Sequence, residues 1–294
     1  MNKKNKIIVF LIILIIGLFF NNKLKESFAF KENDQLLINS NLEIYFFDVG
    51  QADSILIKNN NDTVLIDGGN NEDGENLVNY LMNDLKLDNI DIIVGTHPHE
   101  DHIGGLDKII DNFDIAKIYL PDAISTSKTF EDLLESIDNK GYNITIPIID
   151  EVFELGNLKF KVIYTGSDES DLNNTSIVLK LMFGNTSYLF TGDATSKTEK
   201  IIMNKDIEVD VLKVGHHGSN YSSIDDFLDV VKPKFAIIQV GKNNSYGHPS
   251  NEVLDRLNYR NIKIYRTDLD GTIKLISDGN NISFEFLDTK IDGW

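Results

Sequence analysis

The chain contains no cysteine, which excludes disulfides and a lipobox from its architecture. No Pro- or Ser-rich linker and no low-complexity block interrupts a sequence rich in Asn, Ile, Lys and Asp. Beyond the first residues there is no cluster of Lys or Arg, and the net charge is −18. Nucleic-acid binders usually carry basic patches, because phosphate neutralisation supplies most of their non-specific affinity. That shortage lowers the expectation of tight duplex binding. It does not exclude phosphodiester chemistry, since metal ions neutralise phosphate locally. Histidine is scarce as well, with six in 294 residues, and none of the six is scattered.

The N-terminus holds a long apolar run, Ile7–Phe20, with Lys3, Lys4 and Lys6 before it and Asn21-Asn22-Lys23 after it. This pattern predicts a signal peptide or signal anchor over residues 1–29, with Ser27 and Ala29 as cleavage-site residues. As a membrane span the run is short, since about 20 residues are usual. Lysines before it orient the remainder outward. The expected location is extracellular, or anchored to the outer face of the cytoplasmic membrane with the membrane as partner if the segment stays uncleaved. Loss of residues 1–29, with their five Lys and one Glu, takes the net charge to about −22, an acidic surface that keeps an exported protein soluble. No protein partner is inferable.

Residues 30–294 read as one domain. The 41% hydrophobic content supports a sizeable core. Strand-like runs such as Leu42–Asp48, Thr63–Asp67, Ile92–Thr96, Ser187–Thr191 and Val209–Val214 alternate with amphipathic stretches such as Asn76–Leu85, Leu106–Asn112 and Lys128–Asn139. Two β-rich halves with helices outside predict an α/β (α+β) fold, a four-layer αββα sandwich.

The histidines fall in three motifs: Thr96-His97-Pro98-His99-Glu100-Asp101-His102, the pair His216-His217, and Tyr246-Gly247-His248-Pro249. Imidazoles and carboxylates are standard ligands for zinc, manganese and iron. Asp91-Ile92-Ile93-Val94 reads as a buried strand and Leu106 opens a helix, so the first motif lies on a loop at the C-terminal end of a strand. His97 and His99, two apart, can grip one ion, and Asp101 and His102 can grip a second at the turn.

With these motifs the chain resembles the metallo-β-lactamase superfamily. Asp48-Val49-Gly50-Gln51-Ala52-Asp53-Ser54, Leu65-Ile66-Asp67-Gly68-Gly69, Asn173-Asn174-Thr175-Ser176 and His216-His217-Gly218-Ser219 look like the soluble hydrolase domain of ComEC-type DNA-uptake competence proteins. The resemblance runs from about Leu42 to Phe286. It implies that Asp193 of Thr191-Gly192-Asp193 bridges two metals and that His248 completes the second site. Two departures matter. The histidine usual for the first metal has no counterpart, Asn173-Asn174-Thr175-Ser176 standing in its place, so His217 fills in or the first site is oxygen-rich and more open. The competence proteins are also large membrane channels, and only the hydrolase domain carries over.

The expected cofactors are two divalent ions, Zn2+ or Mn2+, with Mg2+ as a third option. His97, His99 and Asp193, with His217 as an alternative fourth ligand, hold one; Asp101, His102, Asp193 and His248 hold the other. The expected reaction is hydrolysis by a metal-bound hydroxide. Asp101 orients the nucleophile, and whichever of His216 and His217 does not ligate protonates the leaving oxygen. Asp67 holds the metal loop through backbone N–H bonds, while Asp48 and Asp53 shape a turn around Gly50. Asn174 and Ser176 are candidate phosphate or metal contacts. Ser219 offers a hydroxyl or N–H to an oxyanion, with Ser222 or Ser223 better placed to cap the following helix. The substrate implied is a phosphodiester: single-stranded or short DNA or RNA, or a cell-envelope phosphodiester. Two alternatives stay open: hydrolysis of another ester class (lactone, thioester or β-lactam), and a non-enzymatic surface binding module on the same fold.

Overall fold

Strict alternation along the first strand places its residues in two different cores. In β1 (Leu42–Phe46), Leu42, Ile44 and Phe46 enter a central cluster, while Tyr45 and the following Phe47 enter an outer one. β2 (Ile55–Asn59) and β3 (Asp62–Ile66) repeat the pattern: Ile55, Ile57, Val64 and Ile66 point inward, Leu56 and Leu65 outward. Both faces are therefore covered, which is why these strands read as nearly continuous apolar runs.

The first sheet has the order β15-β14-β1-β2-β3-β4-β5-β6. Its remaining members are β4 (Asn89–Val94), β5 (Asp114–Tyr119), β6 (Ile144–Thr145), β14 (Thr272–Ser277) and β15 (Ile282–Leu287). The second has the order β13-β12-β11-β10-β9-β8-β7, built from β7 (Val152–Leu155), β8 (Leu158–Tyr164), β9 (Val178–Phe183), β10 (Thr186–Phe190), β11 (Val211–Lys213), β12 (Phe235–Ile238) and β13 (Lys263–Arg266). Each sheet joins an antiparallel half to a parallel one, β3 to β6 in the first and β10 to β13 in the second.

Three apolar clusters define four layers. Helices Gly74–Asn83, Leu106–Asn112 and Lys128–Lys140 bury Leu77, Leu81, Ile109 and Leu133 against the first sheet. Helices Ser196–Ile202, Asp225–Val231 and Asn251–Tyr259 bury Ile202, Phe227, Leu228, Val253 and Leu257 against the second. Phe46, Phe160, Tyr188 and Phe190 fill the space between the sheets, and each such side chain contributes about 1.5–3 kcal/mol by burial. This is the αββα sandwich.

The computed structural model describes residues 40–167 and 170–289. The segment 1–29 lies outside the described residues, and among the described ones no helix is long and apolar enough to cross a membrane. Two edge strands, β6 and β7, do not stand out in the sequence: one has two residues and the other is only half buried, so neither carries an apolar run. Asp101 and His102 sit in a short helix, Glu100–Ile103, rather than in the expected loop. That helix packs on the Asp67-Gly68 turn. Gly68 N donates to His102 O at 2.6 Å, and a Cβ on Gly105 would lie 2.3 Å from the Gly68 carbonyl. Only glycine allows this approach.

Candidate metal centre

The motifs collect at the C-terminal ends of the parallel strands. Asp67 follows β3, His97 to His102 follow β4, Asp193 follows β10 and His216-His217 follow β11, so both sheets contribute to one crest.

Asp67 organises the loop after β4. Its backbone has φ +60°, and its buried carboxylate accepts from Thr96 N and Thr96 Oγ1, both at 2.7 Å, and from His102 Nδ1 at 2.8 Å. Spending Nδ1 on Asp67 leaves His102 Nε2 facing the crest. Thr96 Oγ1 also meets His97 Nδ1 at 3.2 Å, and His97 Nε2 lies 3.0 Å from His99 Nδ1. That separation suits two ligands of one ion, since metal–nitrogen bonds of about 2.0–2.1 Å put tetrahedral neighbours roughly 3.3 Å apart.

Beside this pair, Asp101, His102, Asp193 and His217 offer ligand atoms that all lie within 4.8 Å of one another. His102 Nε2 is 3.2 Å from Asp193 Oδ1 and 3.8 Å from Asp101 Oδ2; His217 Nε2 is 3.2 Å from Asp101 Oδ2 and 3.7 Å from Asp193 Oδ2. The donor set fits a divalent cation on its own terms. His102 Nε2 and Asp193 Oδ1 are buried and face only each other, 3.2 Å apart and without a well-aligned hydrogen bond, a poorly satisfied pair that a cation bound by both would relieve.

The turn at His216-His217 is strained. Both residues have φ +51° and Gly218 follows at +81°, and left-handed conformations cost non-glycine residues about 1–2 kcal/mol each. The turn is held at both ends: His216 N donates to Gly192 O at 3.2 Å, Ser219 N to His216 O at 2.8 Å, and Ser250 N to Gly218 O at 2.9 Å. His217 Nδ1 donates to Gln239 O at 3.0 Å, so its Nε2 turns toward Asp101. Backbone strain fixed this firmly is a feature of functional sites.

Behind the ligands lies a second charged layer. Asp53, 1% exposed, stands 2.6 Å from Lys213 Nζ, 3.4 Å from His217 Nδ1 and 4.0 Å from His102 Nδ1; Lys213 is itself fully buried and also donates to Val214 O. Burial works against the Asp53 carboxylate, but Lys213 and His217 outweigh it and hold its pKa below the usual value. Burial also opposes the His102 imidazolium, yet Asp193, Asp101 and Asp67 raise its pKa well above normal. The same contest, with Asp193 and Asp53 prevailing, pushes His217 up to about 10. His97, in contrast, is pushed well below its ordinary value by burial and by His102. Burial works against the Asp101 and Asp193 carboxylates as well, but His102 and His217 hold both below their usual range.

The structure redistributes the expected ligands. His217 completes the Asp101–His102–Asp193 set, and does not fill the first site beside His97 and His99, because Gln239 O and Asp53 anchor its Nδ1. His248 is not among the residues whose ligand atoms lie within 4.8 Å of one another; it stands on the rim with its ring 5.8 Å from that of His216. His216, 24% exposed with Nε2 3.7 Å from Asp193 Oδ2, is the accessible member of the pair, while His217 is buried. Asp101, at 32%, is the carboxylate of its set that solvent reaches.

The residues expected to contact phosphate do other work. Ser176 Oγ accepts from Asp193 N at 3.1 Å and holds that loop. Asn174 accepts from Thr195 and Thr198 and donates to Asp171, tying the start of helix Ser196–Ile202 to its neighbour. Ser219 is buried with its N–H spent on the His216 turn, so it offers none to an oxyanion. Helix Asp225–Val231 has no serine cap. Glu199 accepts from Ser223 N and from Ile224 N (3.0 Å), and Ser222 Oγ donates to Ala194 O. Asp53 proves to be the hub behind the ligands rather than a turn residue. Lys213 belongs to no motif, but a lone lysine inside the apolar run Val209–Val214 signals a buried partner.

Fold and site together define an αββα domain whose crest gathers His and Asp side chains that could hold metal ions. The chain belongs to the metallo-beta-lactamase superfamily, whose sequence profile matches residues 47–242, and whose members are generally metal-dependent hydrolases. It is 31% identical over 257 residues to ComE operon protein 3 of Bacillus subtilis (81% of this chain, 33% of that protein). It is 28% identical over 232 residues to competence protein ComA of Neisseria gonorrhoeae (78% and 31%). The chain thus spans about a third of the length of these curated relatives. Among solved structures, the metallo-beta-lactamase fold protein YhfI from Bacillus subtilis shares the fold with a TM-score of 0.52 at 10% identity (76% of this chain, 95% of that one). CmlA, a diiron beta-hydroxylase from Streptomyces venezuelae, does so with 0.54 at 15% (84% and 54%).

Proposed function

We propose that the chain is an exported phosphodiesterase, acting as a nuclease on single-stranded or short DNA or RNA with two divalent ions. The observation that carries this reading is the convergence of Asp101, His102, Asp193 and His217, their ligand atoms all within 4.8 Å of one another, beside the His97–His99 pair. The nucleic-acid substrate is supported by similarity to proteins named for competence, and export by the basic and apolar N-terminus.

His97, His99 and Asp193 would hold one ion; Asp101, His102, Asp193 and His217 the other. Such cations acidify water and draw charge from an attacked phosphoryl group. Asp193, with its backbone fixed by Ser176, would be the ligand common to both ions. Asp101 accepts a hydrogen bond from the attacking water and aims it. His216, exposed beside Asp193, hands a proton to the leaving oxygen.

The test is a substrate panel: bis(p-nitrophenyl) phosphate, nitrocefin and an acyl lactone, each with and without added Mn2+ or Zn2+. Metal-dependent turnover of the phosphodiester alone supports the reading. Turnover confined to the lactone or nitrocefin replaces it with another ester class, and none on any substrate favours a binding module.

A further inference from the structure

Tyr221, Tyr246 and Tyr259 are all at least 70% exposed. Tyr259 ends helix Asn251–Tyr259 beside Arg260, away from the motifs. Tyr246 is placed differently. Its ring stacks on His248 with centroids 5.9 Å apart and planes 24° apart; His248 meets His216 edge-on at 5.8 Å, and His216 lies 3.7 Å from Asp193. The tyrosine thus lies alongside an imidazole of the rim in an offset stack, while its side chain stays 71% exposed.

The turn beneath this ring is braced. Asn244 Oδ1 accepts from Tyr246 N at 3.2 Å and from His248 N at 3.0 Å, and Asn244 Nδ2 donates to Gly241 O and His248 O. An exposed aromatic on a fixed backbone has little freedom left to lose on binding a planar ligand.

We propose that Tyr246 is a base-stacking platform, gripping an unpaired nucleobase next to the phosphodiester that lies over the metal centre. The proposal rests on the phosphodiesterase reading and names the feature of the substrate that the rim recognises. It also resolves the charge problem. With a net charge of −18 and no basic cluster, phosphate neutralisation supplies little affinity. Stacking needs no positive charge, and it requires a base whose face is free, hence a single strand.

The experiment measures binding of a fluorescein-labelled, hydrolysis-resistant phosphorothioate oligothymidylate to the full chain with Mn2+ by anisotropy, so that turnover does not enter. Hydrolysis of the unlabelled phosphodiester oligomer is followed separately with Mn2+. Tyr246→Ala is expected to raise the Kd about 5- to 150-fold, the range that stacking one base supplies. Tyr246→Phe and Tyr246→Trp retain binding, and Tyr259→Ala, remote from the rim, leaves it unchanged. An oligomer of the same length and backbone built from abasic residues binds wild type and Tyr246→Ala alike. Equal loss on the abasic oligomer would show that Tyr246 only supports His248, and no loss on oligothymidylate would remove the platform outright. Either result overturns the proposal while wild-type hydrolysis of oligothymidylate leaves the phosphodiesterase reading standing. Stacking-dependent binding with no hydrolysis of any phosphodiester would do the reverse.

Discussion

Replacing Lys213 by Met removes the cation from the layer behind the ligands while keeping most of the side chain's volume. Lys213 is fully buried and its Nζ stands 2.6 Å from Asp53 Oδ2. At an effective dielectric of about 20, that separation corresponds to an attraction of roughly 6 kcal/mol, much of it offset by the desolvation of both groups. Breaking such a pair from one side leaves an uncompensated buried charge and costs about 3–5 kcal/mol. For a domain of this size, each kcal/mol lowers the midpoint by roughly 2–4 °C, so Lys213→Met should melt about 6–20 °C below wild type. Removing the anion as well restores the balance, and Lys213→Met/Asp53→Asn should recover most of the loss. Thermal melting and urea titration followed by circular dichroism measure Lys213→Met, Asp53→Asn and the double mutant beside wild type. A single-mutant cost below about 1 kcal/mol, or strict additivity in the double mutant, would refute the buried-pair argument.

Other outcomes follow from the same geometry. Asp193→Ala should abolish hydrolysis more completely than His99→Ala, because Asp193 faces His102, His216 and His217; substantial residual activity in Asp193→Ala with none in His99→Ala would favour a single-ion site. Burial pushes the Glu199 carboxyl from 4.5 up to about 7, so the unfolded chain gives up that proton first and the group loses stability as pH rises from about 4.5 to about 7. The melting temperature of wild type relative to Glu199→Gln should therefore fall across that window, and a constant difference would contradict it. Cell fractionation should find the protein outside the cytoplasmic face; soluble cytosolic protein with residues 1–20 intact would overturn the export proposal.

The layers were legible in the sequence because strands buried on both faces leave long apolar runs, as Ile92–Thr96 and Ser187–Thr191 do. β6 and β7 were not, since an edge strand needs no such run. Asp67 could be assigned its supporting role from its place between an apolar strand and Gly68-Gly69, and it makes the bonds to Thr96 that such a role requires. The partition of the late histidines was hidden. It depends on a left-handed turn at His216-His217 and on the carbonyl of Gln239, neither of which has a signature in motif spacing. The role of Asp53 is hidden for the same reason: its partner Lys213 is far away along the chain and close only in the fold.

Metal content of the purified chain, measured by elemental analysis beside Asp101→Asn, His217→Ala and His248→Ala, tests the central claim most directly. After reconstitution, wild type should retain close to two divalent ions per chain; Asp101→Asn and His217→Ala should each lose one, and His248→Ala should keep both. Loss of an ion in His248→Ala with full occupancy in His217→Ala would contradict the assignment of His217 to the Asp101–His102–Asp193 set.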